Sequence, residues 1–427
     1  MAPPADYRPR ILDAELDELM GDLAAVSVEG AKAVGKTVTA SQRAETTFRL
    51  DDPDQRAIAQ ADLDRLITAP APILIDEWQY LPSVWDKVRR AVDDGAEAGR
   101  FLLTGSASPR DSGTHSGGGR IVSLRMRPMS LAERLTIPTT VGVTELLTGR
   151  RAAIRGRTDI RLEDYTEEIL ASGFPGIRNL KDRARRAQLD GYLRRVVDRD
   201  FPELGQQIRN PVALRRWMAA YAAASSTTTT FEKIRDASTG GHETKPARST
   251  VIPYRDVLER LFVLDPVPGW RPTNNYIAEL AEPPKHQLVD PALAARLVGA
   301  TASALLNGES PGPVIPREGT LLGALFESLV TQSVRIYAQA GEATVAHLRA
   351  ARGDHEVDLI VQRADGRVVA IEVKLSSTPS PDSVRHLKWL EGKIGDDLLD
   401  AVVVTTGSEA YRRPDGIAVV PAALLGP

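Results

Sequence analysis

The most constraining feature of the sequence is the segment Gly30–Thr37, which reads G-x-x-x-x-G-K-T. The apolar run Ala24–Val28 precedes it and predicts a buried strand, and the stretch Thr37–Ala44 can open a helix. A glycine loop between a strand and a helix turns successive backbone N–H groups toward phosphates. In that context Lys36 reaches the β- and γ-phosphates, and the Thr37 hydroxyl binds Mg²⁺. We therefore expect a phosphate-binding loop that consists of Gly30, Ala31, Lys32, Ala33, Val34, Gly35, Lys36 and Thr37.

Two further apolar segments end in polar side chains. The segment Ile73–Glu77 has three aliphatic residues followed by two acids, which predicts a central parallel strand with its charges at the ligand-binding end. Asp76 would hold Mg²⁺ through its water shell, and Glu77 would polarise the attacking water. The next strand, Arg100–Ser106, ends in hydroxyls. Either Thr104 or Ser106 could sense the terminal phosphate, and the sequence does not choose between them.

Several segments together resemble a known group. The chain is similar to the AAA+-type bacterial and archaeal P-loop ATPases that carry a C-terminal DUF4143 domain. This resemblance implies ATP binding and hydrolysis on a five-stranded parallel sheet, and it says little about biological purpose. The segments that carry it are Gly30–Thr37, Leu74–Gln79, Leu102–Ser106 and Arg125–Glu133, followed by Ala171–Gly176, Arg199–Leu204 and Leu288–Leu297.

Length and composition limit the remaining possibilities. The 427 residues suit two or three domains, and we expect an ATPase domain at 1–150, a helical domain at 151–305 and a DUF4143 domain at 306–427. A net charge of −3 creates no general attraction to nucleic acid or membranes. The absence of cysteine excludes disulfides, thiolate metal sites and cysteine catalysis. Because no apolar run is long enough to span a bilayer and the N-terminus does not resemble a signal peptide, we expect a soluble cytoplasmic protein.

A glycine-rich loop, Asp111–Arg120, ends in an arginine. Arg120 has two interpretations. It is either a solvated loop residue or, as the resemblance to AAA+ machines implies, an arginine that contacts the γ-phosphate. That contact could be made in its own subunit or across a boundary between subunits, and the second arrangement implies a homo-oligomer.

The middle of the chain predicts an arrangement that resembles a winged helix. Helices are expected at Pro211–Ala224, Thr230–Ser238 and Ser249–Leu261, with an apolar strand at Phe262–Leu264. A helix-turn-helix with a wing often reads DNA, but such modules also serve as scaffolds in multidomain ATPases. DNA contact and a purely structural role therefore both stay open.

The C-terminal region predicts a helix at Leu321–Ala338 and a hairpin at 356–374. If the hairpin has a three-residue loop with Gly366 in the left-handed conformation, Arg363 pairs with Arg367. Asp358 then lies opposite Glu372 on the same face of the sheet. A two-residue loop would instead put these two carboxylates on opposite faces.

This constellation resembles the PD-(D/E)xK nuclease superfamily, which implies a restriction-endonuclease-like α/β fold. The resemblance implies that Glu327, Asp358 and Glu372 hold Mg²⁺ or Mn²⁺ and that Lys374 orients the nucleophile. Three functions compete. The first is an Mg-dependent ATPase coupled to DNA or RNA processing, and the second is a nucleotide-controlled switch whose nuclease-like fold is inert and binds a protein or DNA partner. The third is a transcription regulator built on the winged module, which the near-neutral charge disfavours.

Overall fold

The computed structural model describes residues 7–107, 118–205, 208, 210–239, 247–272, 282–317, 319–350 and 354–427. The chain forms two compact units. One contains Met1–Pro128 and Arg260–Val263, and the other contains Met129–Glu259 and Leu264–Pro427. This division differs from the expected ranges, because short strands near residues 141 and 156 pair with strands of the C-terminal region. The expected middle and C-terminal ranges consequently share one unit.

The first unit is built on a parallel sheet. Within the described residues it has five strands, in the order β2-β3-β4-β1-β5, and every pairing is parallel. This confirms the expected sheet, and it places β4 between β1 and β3, so that their carboxyl ends lie side by side. The strands are β1 (Ala25–Glu29), β2 (Thr46–Arg49), β3 (Ile73–Asp76), β4 (Phe101–Gly105) and β5 (Val122–Arg125).

Helices accompany this sheet in the first unit. The helix Ser83–Asp93 lies between β3 and β4 in the chain and buries Val84, Trp85 and Val88. Trp85 packs against Trp78 with ring centroids 4.6 Å apart, which fixes the turn that follows β3. The helices are Leu12–Asp22, Lys36–Ser41, Pro53–Ala61, Arg65–Thr68 and Ser83–Asp93. In both units, none of the helices that the structure describes combines the length and the apolar character needed to cross a membrane.

The second unit contains a larger mixed sheet. Its described strands run in the order β7-β13-β14-β12-β11-β10-β9-β8, and β6 pairs separately with β15. The hairpin β10–β11 is antiparallel, whereas β12 runs parallel to β11. The strands are β6 (Val141–Gly142), β7 (Arg155–Arg157), β8 (Gly269–Trp270), β9 (Thr344–Arg349), β10 (Glu356–Gln362), β11 (Val368–Val373), β12 (Leu398–Thr405), β13 (Glu409–Arg412), β14 (Ala418–Pro421) and β15 (Leu425–Gly426).

The helices of the second unit include all four that the sequence predicts between residues 211 and 338. They form at Pro211–Ala223, Phe231–Ala237, Arg248–Arg260 and Leu321–Ala340. The other helices are Leu131–Arg134, Val143–Leu146, Leu162–Ala171, Pro175–Arg178, Asp182–Arg195, Phe201–Glu203, Pro291–Val298, Ala302–Leu306 and Arg385–Ile394, with a π-helical segment at Val196–Asp200.

The expected strand at Phe262–Leu264 does not form. Phe262 has a φ of 59°, a left-handed conformation that turns the chain and interrupts an extended run. Leu264 makes an isolated bridge with Leu288. The three helices before this turn are confirmed, and the winged-helix arrangement stays a prediction.

Candidate nucleotide site and the C-terminal carboxylate cluster

The loop between β1 and the helix Lys36–Ser41 has the conformation that its glycines predict. A Cβ atom at Gly30 would collide with the backbone oxygen of Met126, so this position requires glycine. Gly35 has a φ of 108° and caps the helix, a conformation that glycine adopts at little cost. Ala33 also lies in the left-handed region, with a φ of 68°. The loop therefore turns sharply and presents the helix N-terminus, which attracts anions.

Lys36 folds back into this loop. Its Nζ atom donates to the backbone oxygens of Gly30 (2.9 Å) and Ala31 (3.0 Å) and to Oγ of Ser106 (3.1 Å). A lysine ammonium has three donor hydrogens, so these contacts use them all. Burial lowers the pKa of Lys36 to about 8, against the opposing effect of the Glu77 and Asp76 carboxylates. Lys36 is therefore a buried cation whose acceptors are all uncharged.

Asp76 lies at the end of β3 and accepts hydrogen bonds from two hydroxyl groups. Its Oδ1 atom accepts from Oγ1 of Thr37 (2.7 Å) and from Oγ1 of Thr104 (2.5 Å). Burial raises the pKa of Asp76, and the two hydroxyl hydrogen bonds oppose that rise. The arrangement brings the Thr37 hydroxyl and a carboxylate together beside the loop, and these are hard oxygen ligands of the kind that Mg²⁺ prefers.

Glu77 is fixed from several sides. It has a φ of 55°, and its backbone N–H donates to Oγ1 of Thr104 (3.1 Å). Its carboxylate accepts from Oγ of Ser106 at 2.7 and 3.0 Å and from the side-chain amide of Gln79. Ser106 thus joins Lys36 to Glu77, whereas Thr104 joins Asp76 to the Glu77 backbone. The sequence reasoning did not identify Gln79, although its place two residues after Glu77 was a usable signal.

Arg10 is a second residue that the sequence reasoning missed. Its guanidinium is buried and donates to the backbone oxygens of Val34 (2.9 Å) and Arg127 (2.8 Å). The hydroxyl oxygen of Tyr7, in the same segment, lies 3.1 Å from Oγ1 of Thr39 in the helix that follows the loop. These contacts attach the segment before the first helix to the phosphate loop. No local pattern in the sequence signals them, because Arg10 and Val34 are 24 residues apart.

Arg120 lies on the surface in this structure. Its Nε atom is 2.8 Å from Oδ1 of Asp93, which is the last residue of the helix Ser83–Asp93. Most of the glycine-rich loop before it, residues 111–117, lies outside the described residues. An exposed ion pair of this kind contributes little stability. A role of Arg120 at the γ-phosphate stays a prediction.

The C-terminal hairpin has the register that the three-residue loop predicts. Leu359 pairs with Ile371, Gly366 has a φ of 87°, and the backbone N–H of Arg363 donates to the oxygen of Arg367 at 2.9 Å. Continuing this register places Asp358 opposite Glu372. The backbone N–H of Val373 donates to Oδ2 of Asp358 at 2.9 Å.

A lysine from a distant segment enters this cluster. The Nζ atom of Lys285 lies 2.9 Å from Oε1 of Glu327, 3.0 Å from Oδ1 of Asp358 and 3.1 Å from Oε1 of Glu356. Lys285 is 1% exposed. Burial alone would lower its pKa, but the carboxylates of Glu327, Asp358 and Glu356 raise the pKa well above its ordinary value. The sequence reasoning did not identify Lys285.

The other two members of the expected nuclease set form a separate pair. Nζ of Lys374 donates to Oε1 of Glu372 at 2.6 Å, and Oε2 of Glu372 is buried without a hydrogen-bond partner. Burial raises the pKa of Glu372 to about 8. Burial likewise raises the pKa of Glu327 to about 8.

The structure divides the expected three-carboxylate set between two lysines, and a metal site at Glu327, Asp358 and Glu372 stays a prediction. Glu327 and Asp358 converge on an ammonium group, and Glu372 pairs with a second lysine. Among the residues that the structure describes, no group of three or more His, Cys, Asp or Glu side chains has the geometry to hold a metal ion.

Family models match three parts of the chain. An AAA domain matches residues 23–135, a domain of unknown function (DUF8612) matches residues 162–304, and a domain of unknown function (DUF4143) matches residues 322–425. The first range contains the phosphate loop, Asp76 and Glu77. The third contains Glu327, Asp358, Glu372 and Lys374.

Similar proteins and structures are also known. Uncharacterized proteins of Mycobacterium bovis and Mycobacterium tuberculosis are each 25% identical over 406 residues, which is 93% of this chain and 80% of theirs. A Walker-type ATPase of Pyrococcus abyssi aligns with a TM-score of 0.38 and 16% identity, over 68% of this chain and 99% of that one. The ORC2 protein of Aeropyrum pernix, solved as ADPNP–ADP complexes, aligns with a TM-score of 0.32 and 13% identity, over 71% and 96%.

The AAA and DUF4143 models agree with the phosphate loop and with the resemblance that its flanking motifs carry. The chain is therefore similar to the AAA+-type P-loop ATPases that carry a C-terminal DUF4143 domain, with the AAA model at residues 23–135 and the DUF4143 model at residues 322–425.

Proposed function

We propose that this protein binds ATP together with Mg²⁺ at the phosphate loop and hydrolyses it. One observation carries the proposal. Hydrogen bonds connect the six side chains that such chemistry needs into two chains. One runs through Lys36, Ser106 and Glu77. The other runs through Thr37, Asp76 and Thr104, and Thr104 also accepts from the Glu77 backbone N–H. All of them lie at the carboxyl ends of neighbouring parallel strands or at the helix N-terminus beside them, where ligands bind in α/β sheets.

Binding follows from the partners of Lys36. Phosphate oxygens carry negative charge, so the ammonium group of Lys36 gains a Coulombic attraction to them that neutral carbonyl oxygens do not provide. The β- and γ-phosphates can therefore replace the carbonyls of Gly30 and Ala31 as acceptors for the ammonium group. Lys36 would in this way exchange contacts within the loop for contacts with the nucleotide.

Thr37 and Asp76 would hold Mg²⁺, because their oxygens already lie 2.7 Å apart beside the loop. When bound, the ion would neutralise charge on the phosphate oxygens. Glu77 would accept a proton from the attacking water and orient it, and the hydrogen bonds from Ser106 and Gln79 hold its carboxylate for this role. Of the two hydroxyls that the sequence left open, we assign the sensing of the terminal phosphate to Ser106, because Ser106 contacts both Lys36 and Glu77.

The test separates binding from turnover. Glu77→Gln should bind ATP with nearly parental affinity and slow phosphate release by roughly 10²- to 10⁴-fold, because an amide cannot accept the proton. Lys36→Ala should lose most ATP affinity in a calorimetric titration. The matched control is Glu97→Gln, the same chemical change at an exposed position of the same unit. Parental turnover by the Glu77→Gln protein would refute the assignment of Glu77.

A second candidate concerns the C-terminal region. The nucleotide state could control a partner-binding surface while the nuclease-like centre stays inert, and the ammonium of Lys285 among the acids favours this alternative over DNA or RNA processing. The two alternatives differ when the full-length protein is incubated with plasmid DNA and structured RNA, with Mg²⁺ or Mn²⁺ and with or without ATP. Cleavage that disappears in Asp358→Ala would establish the nuclease and contradict the switch.

A further inference from the structure

We propose that Lys285 is the resident cation of the C-terminal carboxylate cluster, and that a divalent metal ion can bind these acids only after the ammonium group is removed and the acids move together. The cluster is defined by Glu327, Glu356 and Asp358. The ammonium of Lys285 lies within 2.9–3.1 Å of one oxygen from each of them. An ammonium group has three donor hydrogens, which match these three acceptors.

The geometry of the cluster follows from two elements. Glu356 and Asp358 are two residues apart on β10, next to a shift in the register with β9, and both carboxylates contact the ammonium group of Lys285. Glu327 lies on the helix Leu321–Ala340, which packs against β10. Acids so close together repel one another when they are ionised, and a positive charge between them offsets this repulsion. Lys285 supplies that charge, and a divalent ion would compete for the same oxygen lone pairs.

The backbone holds Lys285 in place. Its N–H and C=O groups exchange two hydrogen bonds of 2.9 Å with Val267. The next residue, His286, donates its backbone N–H to Thr227 at 2.8 Å and packs its ring edge-on against Tyr221 and Phe231. Because both neighbouring peptide groups are bonded, withdrawing the lysine would break several contacts. Lys285 is therefore a built-in part of the centre.

This substitution changes what the centre can do. A divalent ion activates water and stabilises a leaving oxygen, because it accepts their lone pairs directly. An ammonium group has no open coordination position and can only donate hydrogen bonds. With Lys285 in place, the cluster stabilises the packing of the helix on the sheet and does not assemble a hydrolytic metal centre.

The test uses the full-length protein without nucleotide, and it compares thermal unfolding in EDTA and in millimolar Mn²⁺. The wild-type midpoint should not change with Mn²⁺. Lys285→Ala should melt roughly 10 °C lower in EDTA, because it leaves buried carboxylates without a cation, and Mn²⁺ should raise its midpoint by about 5–10 °C. Adding Asp358→Asn to Lys285→Ala should remove this response to Mn²⁺.

The matched control is Lys388→Ala, which removes a half-exposed lysine that pairs with Asp415 in the same unit. This variant should have the unfolding midpoint of the wild type, and Mn²⁺ should not change that midpoint. A Lys285→Ala protein that folds but does not respond to Mn²⁺ would overturn the proposal. A second measurement needs no Lys285 variant. Calorimetric titration of the wild-type protein should show no Mn²⁺ binding at the cluster, and Mn²⁺ binding that disappears in Asp358→Asn would also overturn the proposal.

Discussion

The affinity for ATP should fall steeply above pH 8, because the free protein must then protonate Lys36 in order to bind. Burial lowers the pKa of this lysine to about 8, and the phosphates of a bound nucleotide favour its charged form. The ATP phosphates are themselves ionised throughout this range. Relative to pH 7, the expected loss at pH 9.5 is roughly thirtyfold in Kd, or about 2 kcal/mol, since each pH unit above the pKa costs about tenfold.

The assay is a calorimetric titration with Mg-ATP at constant ionic strength between pH 7 and 9.5. The matched control is Lys36→Arg, whose guanidinium stays charged over the whole range. Its affinity is expected to be lower in absolute value and independent of pH. A wild-type Kd that stays constant to pH 9.5 would contradict the lowered pKa of Lys36. An equal slope in the Arg variant would show that another group titrates.

Two further predictions use pairs of matched variants. Arg120→Ala should leave ATP binding nearly intact and slow hydrolysis. Asp93→Ala, which breaks the same exposed ion pair, should leave both ATP binding and the hydrolysis rate unchanged. Equal hydrolysis rates in the two variants would show that Arg120 is a surface residue without a role in turnover. Recovery of turnover on mixing Arg120→Ala with a hydrolysis-blocked variant would show that it acts between subunits. Arg412→Ala should lower stability by roughly 3–5 kcal/mol in chemical denaturation, because the buried Asp400 carboxylate then loses its two 2.8 Å contacts with the guanidinium and keeps the backbone N–H of Ala401 without a positive charge. Arg413→Ala should cost less than about 1 kcal/mol, and similar losses in the two variants would contradict this reasoning.

The parts of the structure that local sequence determines were predictable. The spacing of Gly30, Gly35 and Lys36 specifies a tight turn before a helix, and the apolar runs around it specify buried parallel strands. The hairpin register follows from Gly366, because a left-handed residue at that position fits the three-residue loop that aligns Asp358 with Glu372.

The contacts that decide the chemistry of the C-terminal carboxylate cluster were not predictable. Lys285 is 42 residues from Glu327 and 73 residues from Asp358, and no periodicity connects segments that far apart. The expected metal site was inferred from the acids without knowledge of the cation among them. The strand expected at Phe262–Leu264 failed for a different reason, since an apolar run does not reveal a left-handed residue within it.

The two buried lysines show how the acceptors around a side chain decide its role. Lys36 has neutral acceptors and a lowered pKa, so its ammonium group gains interaction energy when charged phosphates bind. These contacts are suited to reversible binding of a ligand. Lys285 has carboxylate acceptors and a raised pKa, so no incoming anion improves on the partners it has. We therefore expect ligand exchange at Lys36 and permanent contacts at Lys285. If nucleotide binding influences the C-terminal region, the influence should therefore leave the contacts of Lys285 intact.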